Sequence, residues 1–163
     1  GLPEDSVQGD IKFLDVLKQM GAKVVRHENS IVVKKGKLHG IEIDMNSMPD
    51  AAMTLVPMAM YTDGPVIIKN IASWRVKETD RIAAMVNEMS KLGVKVESGE
   101  DYISIDASTS NNETPHFDTY NDHRMAMCMS LIAFDRDIVI NDPECINKTF
   151  PSYFTTLKSI SKN

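Results

Sequence analysis

Apolar residues along this chain alternate between two rhythms, and the same succession of rhythms is written twice. Ile82, Met85, Val86, Met89 and Leu92 fall at helical spacing, which predicts a helix that stops at Gly93, a residue suited to a left-handed cap. Two short strands follow across the polar turn "ESGED", the second with alternating apolar positions at Ile103 and Ile105. A third strand then leads to a largely apolar helix, "DHRMAMCMSLI", and to a final strand, "DIVIND". The same order occurs 72 residues earlier, without gaps. Gly21 in "MGAKV" matches Gly93 in "LGVKV", and Ile31 and Val33 match Ile103 and Ile105. Asp50 matches Asp122, and Asp63 matches Asp135. Val66, Ile68 and Asn70 match Ile138, Ile140 and Asp142. One shared offset across so many pairs identifies an internal duplication.

Each copy is expected to be a βαββαβ unit whose opening strand comes from the end of the copy before. The fold class is therefore α/β (α+β), with copies at about 10–80 and 82–150 inside one domain spanning 1–163. A third copy begins with a helix expected within "KTFPSYFTTLKSI". Pro151 stands at its first turn, and Leu157 is in register with Met85. The strands and second helix of that copy are missing, so the chain is expected to be a piece of a longer protein or to be completed by a partner chain, because an unpaired sheet edge is a liability. Pro57 falls inside the helix predicted to start near Asp50 and should bend it, since proline in a helix interior costs about 3 kcal/mol. The 11 methionines are expected mostly in the core, where a flexible thioether fills irregular gaps.

Composition changes this picture only by exclusion. The 163 residues are 42% hydrophobic and 25% charged, ordinary for a globular domain. A net charge of −5 with no basic stripe argues against nucleic-acid binding and against a membrane-surface role. Any anionic ligand must be caught by a local basic cluster working against the global charge. Cys128 and Cys145 lack metal-ligand spacing, which fits a reduced cytoplasmic protein, and Cys128 lies in an apolar helical run expected to be buried. No apolar run approaches the roughly 20 residues of a membrane span.

Candidate chemistry collects at helix starts. Asp50 and Asp122 each open a second helix, where an aspartate is commonly a cap and nothing more. His123 and Arg124 follow Asp122 directly, and a cation there opposes the helix dipole unless an anion shares the site. "WRVKETDR" repeats the conflict, with Lys77 just ahead of a helix and Arg81 in its first turn. Lys148 precedes the third-copy helix, one residue off the repeat. If the copies pack side by side, Lys77, Arg81, Arg124 and Lys148 converge on one rim able to bind phosphate or carboxylate; otherwise they are four unrelated surface cations. Glu78, His123 and Asp50, interleaved with them, are residue types that move protons.

With these residues in view, "SVQGD", "DMNSMPDAAMT", "NIASWRVKETDRIAAM", "TYNDHRMAMC" and "DPECINKTFPSYF" together resemble the C-terminal part of the bacterial 5-enolpyruvylshikimate-3-phosphate synthases (3-phosphoshikimate 1-carboxyvinyltransferases). The resemblance runs from about Ser6 to the end. It implies one domain of the enolpyruvyl transferase fold, with helices inside and sheets outside, completed by an N-terminal strand and faced by a missing N-terminal domain. "GLPEDSVQGD" would lie near the crossover between the domains.

The reaction implied by the resemblance joins phosphoenolpyruvate to the 5-hydroxyl of shikimate 3-phosphate and releases phosphate, with no metal or organic cofactor. On the same basis Glu78 would protonate the methylene carbon, and Asp50 would hold the hydroxyl proton. Arg81, Arg124 and Lys148 would bind phosphoenolpyruvate. Lys77 and Ser73, together with Asp50, would contact shikimate 3-phosphate; Ser73 stands where relatives often place Asn. His123 would be a polar neighbour of the acid. The chain alone is expected to be inactive. The competing expectations are a self-contained phosphometabolite-binding module and an assembly domain whose charges only face solvent.

Overall fold

The computed structural model describes residues 9–161. Ser6 to Gln8 of "SVQGD", most of the segment expected near a domain crossover, and the last two residues lie outside the described residues.

The first copy opens with a short 3-10 turn, Gly9–Lys12, that runs into α1 (Phe13–Gln19). Gly21 follows at φ 103°, the left-handed conformation its place past a helix end requires. Strands β1 (Lys23–His27) and β2 (Ser30–Lys34) pair antiparallel, Val25 opposite Val32. Strand β3 (Ile41–Asp44) then leads into the second helical segment, and β4 (Val66–Lys69) closes the copy. The second copy repeats this order. It has α4 (Arg81–Ser90), Gly93 at φ 72°, β5 (Lys95–Ser98), β6 (Ile103–Asp106) and β7 (His116–Phe117). Then come α5 (His123–Met129) and β8 (Val139–Ile140). A last helix, α6 (Tyr153–Ile160), stands 72 residues beyond the start of α4.

The second helical segment of the first copy is broken rather than merely bent. It consists of α2 (Pro49–Ala52), α3 (Leu55–Met58) and a 3-10 turn at Ala59–Tyr61. Proline has no N–H and its ring crowds the carbonyl four residues back, here that of Met53. The Met53 carbonyl instead accepts from the Val56 N–H at 3.3 Å, a tightened turn, and the helix divides there. In the second copy Met129 occupies the place of Pro57, and α5 runs unbroken to that residue.

The strand order shows how the copies are joined. One four-stranded sheet runs β3-β4-β6-β5, so the last strands of the first copy and the hairpin of the second form a single surface. β3 and β4 are parallel, with Ile41 beside Val66 and Ile43 beside Ile68. β4 and β6 are antiparallel, with Val66 opposite Ile105 and Ile68 opposite Ile103. These in-facing residues make one apolar row, and Val66, Ile68, Ile103 and Ile105 are fully buried. Ile82, Met85 and Met89 of α4 and Met125 and Met129 of α5 share the same core, so the helices lie inside and the sheet outside. Among the described residues the β1-β2 and β7-β8 pairs are two-stranded, and Val25, Val33 and Val139 are exposed.

Candidate functional site

The segment "WRVKETDR" is a crest tied down by hydrogen bonds at both ends. Trp74, fully buried in a 3-10 turn spanning Ala72–Val76, donates its indole N–H to the Pro49 carbonyl at 2.7 Å, tying the crest to the start of α2. Arg75 binds Asp80 at 2.8 Å and donates through Nε to the Glu100 carbonyl in the β5-β6 turn. Asp80 caps α4 by accepting from the Ala83 N–H at 3.0 Å. With both ends pinned, Lys77 and Glu78 stand exposed between them.

Arg81, the first residue of α4, is 1% exposed, and its guanidinium is the hub of the site. Nε donates to Asp122 Oδ2, Nη1 to Asp50 Oδ1 and Nη2 to Glu78 Oε2, each at 2.8 Å. Burial alone would lower its pKa, but the Asp122, Asp50 and Glu78 carboxylates outweigh that and raise it. The cation in the first turn of α4 is therefore balanced by the protein's own carboxylates, drawn from both copies. Arg124, in the first turn of α5, binds the other oxygen of Asp50 at 2.9 Å. The carboxylate of Asp50 thus bridges two guanidiniums. Asp50, Glu78 and Arg124 keep 36%, 35% and 38% of their side chains exposed, so this part of the cluster opens to solvent.

Asp122 is the member the sequence left as a cap. It does cap α5, accepting the Arg124 N–H at 2.9 Å, yet it is also fully buried and anchors Arg81. Its repeat relation to Asp50 was the available signal. His123 is 7% exposed, and among the described residues its Nδ1 has no hydrogen-bond partner. Burial lowers its pKa below 6.5; Asp122 and Glu78 oppose the shift, whereas Arg124 and Lys148 add to it. Lys148 stands exposed at the end of a 3-10 turn spanning Pro143–Lys148. Asp50, Glu78, Arg81, His123 and Arg124 form one cluster with Asp122. Ser73 is half-buried in the crest and Lys77 is exposed. Among the described residues neither has a side-chain hydrogen bond or ion pair.

Glu78, Asp122 and His123 bring donor atoms within 4.8 Å of one another, a spacing a metal ion can use. The Arg81 guanidinium already lies against two of those three groups, and a dication there would face its charge directly. Chemically the cluster offers two carboxylates at a solvent-facing rim for proton transfer, and fixed cations beside them for an anionic substrate. No helix among the described residues is long and apolar enough to cross a membrane.

The family profile described as EPSP synthase (3-phosphoshikimate 1-carboxyvinyltransferase) matches residues 1–157. The chain is 50% identical over 99% of its length to the 3-phosphoshikimate 1-carboxyvinyltransferase of Aeromonas salmonicida (strain A449). It is 51% identical over 99% of its length to that of Marinomonas sp. (strain MWYL1). It spans 38% of the length of each of these relatives. Among solved structures, EPSP synthase from Acinetobacter baumannii superposes with a TM-score of 0.74, covering 93% of this chain and 38% of that one at 24% identity. The enolpyruvyl transferase NikO from Streptomyces tendae gives a TM-score of 0.71, covering 94% of this chain and 35% of that one at 16% identity. These two likenesses concern the fold, which is that of enolpyruvyl transferase domains. The chain belongs to the EPSP synthase (3-phosphoshikimate 1-carboxyvinyltransferase) family.

Proposed function

We propose that this chain, as a single domain, carries one wall of the active site of a cytoplasmic transferase. That enzyme would move the enolpyruvyl group of phosphoenolpyruvate to the 5-hydroxyl of shikimate 3-phosphate. In the addition step the 5-hydroxyl oxygen bonds to C2 of phosphoenolpyruvate, its proton passes to Asp50, and Glu78 protonates the methylene carbon to a methyl group. In the elimination step the Glu78 carboxylate takes a proton back from that methyl group as the C2–O bond to phosphate breaks, re-forming the double bond and releasing inorganic phosphate. Arg124 and Lys148 present positive charge to the phosphate and carboxylate of phosphoenolpyruvate. Lys77 and Ser73 face shikimate 3-phosphate. His123, neutral through burial, lines the site beside Glu78.

Arg81 does not act here as a free clamp. Three of its nitrogen atoms already donate to carboxylates. Its contribution to phosphoenolpyruvate binding is then to orient Asp50 and Glu78 and to lend charge from beneath. The observation that carries the proposal is the gathering of Asp50, Glu78 and Arg124 around this one guanidinium, since two anionic substrates require fixed opposing charge at a preorganised rim.

The remaining cations and much of the shikimate-phosphate pocket would come from the N-terminal part of the protein. The test mixes the purified chain with that part and measures phosphate release from the two substrates. Turnover is expected only in the mixture and should vanish with Glu78→Gln. Turnover by the chain alone defeats the division of the site. Saturable binding of a phosphorylated ligand by the chain, with no turnover in the mixture, defeats the transferase assignment in favour of a binding module.

A further inference from the structure

The residues of α5 that reach the site are delivered by a turn with an unusual backbone. Tyr120 and Asn121 both have positive φ, 56° and 55°, and the Asp122 N–H closes onto the Thr119 carbonyl at 2.8 Å. Two consecutive left-handed residues are the signature of a type I′ turn, which favours Asn-Gly. A tyrosine there is held against its preference. The repeat provides an internal control. In the first copy the equivalent residues are Met48 and Pro49; Met48 has φ −141°, and proline is locked at negative φ. The topology therefore does not require the strained turn, and the second copy adopts it for a reason of its own. Its consequence is that Asp122 stands outside the helix as cap and reaches Arg81 Nε, whereas Asp50 lies within α2.

We infer that Glu88 is a positioning residue that holds this turn and, through it, aims Asp122, His123 and Arg124. Glu88 is fully buried two turns along α4 from Arg81. Its Oε1 accepts the Tyr120 hydroxyl at 2.7 Å, and its Oε2 accepts the Asp118 N–H at 2.9 Å. Lys91 Nζ lies 2.7 Å from Oε2 and compensates the charge. A buried carboxylate with three donors is a firm anchor. Helix α4 thereby grips the turn at both ends: Glu88 holds Asp118 and Tyr120 on the entering side, and Arg81 holds Asp122 on the leaving side. If the entering grip is released, the turn relaxes, and the three residues after it move together.

Hydrogen exchange on the intact protein tests this without reference to turnover. In Glu88→Ala, peptides spanning residues 118–124 should exchange roughly ten-fold faster, while a peptide over β6 keeps its rate. Adding Tyr120→Asn and Asn121→Gly, which suit the turn without an anchor, should restore the protection. Uniform acceleration across the protein, or failure of the second pair of substitutions to restore protection, would overturn the assignment. The kinetic arm rests on the transferase proposal: phosphate release should fall at least ten-fold in Glu88→Ala and recover in the triple variant. An active wild type with no recovery in the triple variant also overturns the role. A wild type that exchanges as expected but never turns over sinks the transferase proposal and leaves the Glu88 assignment standing.

Discussion

Asp50 and Asp122, equivalent positions of the two copies, bind the same guanidinium: each places a carboxylate oxygen 2.8 Å from a different nitrogen of Arg81. The pair is symmetric in sequence and unequal in environment, because Asp122 is fully buried and Asp50 is 36% exposed. That inequality separates a buried anchor from a solvent-facing carboxylate within one cluster.

Removing the hub should be severe. Arg81→Ala strands the buried carboxylate of Asp122, and breaking a buried pair from one side costs about 3–5 kcal/mol. Arg81→Lys keeps the charge but loses the planar fork that serves three carboxylates, so its loss should be intermediate. Denaturant unfolding followed through Trp74, the only tryptophan and fully buried, reports both. Equal stability of Arg81→Ala and the parent would refute the hub.

The two aspartates should respond unequally to the same change. Asp122→Asn can still cap α5 but loses a charged partner in a dry site, a cost of about 1–3 kcal/mol. Asp50→Asn acts at the exposed edge and should cost under about 1 kcal/mol, while abolishing turnover of the assembled enzyme under the proposed role. Matching losses of stability in both variants would contradict the asymmetry.

His123 makes stability depend on pH in one direction. Its folded pKa lies below 6.5, primarily through burial, so the unfolded chain takes up a proton first as pH falls. The stability tied to the neutral ring is complete above about pH 6.5 and is lost as pH drops toward the lowered folded value. His123→Gln should therefore lose less stability than the parent between about pH 7.5 and 5.5. Identical pH slopes would exclude the effect.

Both thiols should be inert in the folded protein. Burial pushes the Cys128 pKa up to about 12 and also raises that of Cys145, and the thiolate is the reactive form. Alkylation near pH 8 should proceed only at the unfolding rate; rapid labelling of native protein would show that these sites open locally.

The duplication, the hairpins, the cap glycines and the helix starts were legible because each depends on residues close in sequence. The site was legible as a set of residue types at helix starts, but its wiring was not. Arg81 looked like a clamp free for substrate because its partners Asp50 and Asp122 lie 31 and 41 residues away. Nothing local marks the burial of Glu88, whose spacing from Lys91, three residues on, is that of an ordinary pair on a helix surface. The left-handed turn carries no glycine: Asn121 suits positive φ, but Tyr120 does not, so the pair lacks the usual sequence of such a turn. Pro57 did announce a disturbance, which falls at the carbonyl four residues upstream, where the ring exerts its steric demand.

The pairing of β4 with β6 has a consequence for how the two copies hold together. One copy contributes β3-β4 and the next contributes β6-β5, so neither completes this four-stranded sheet without the other. The covalent link between them acts as a tether that keeps the matching edges at an effective concentration on the order of millimolar, so this strand pairing does not depend on how much protein is present.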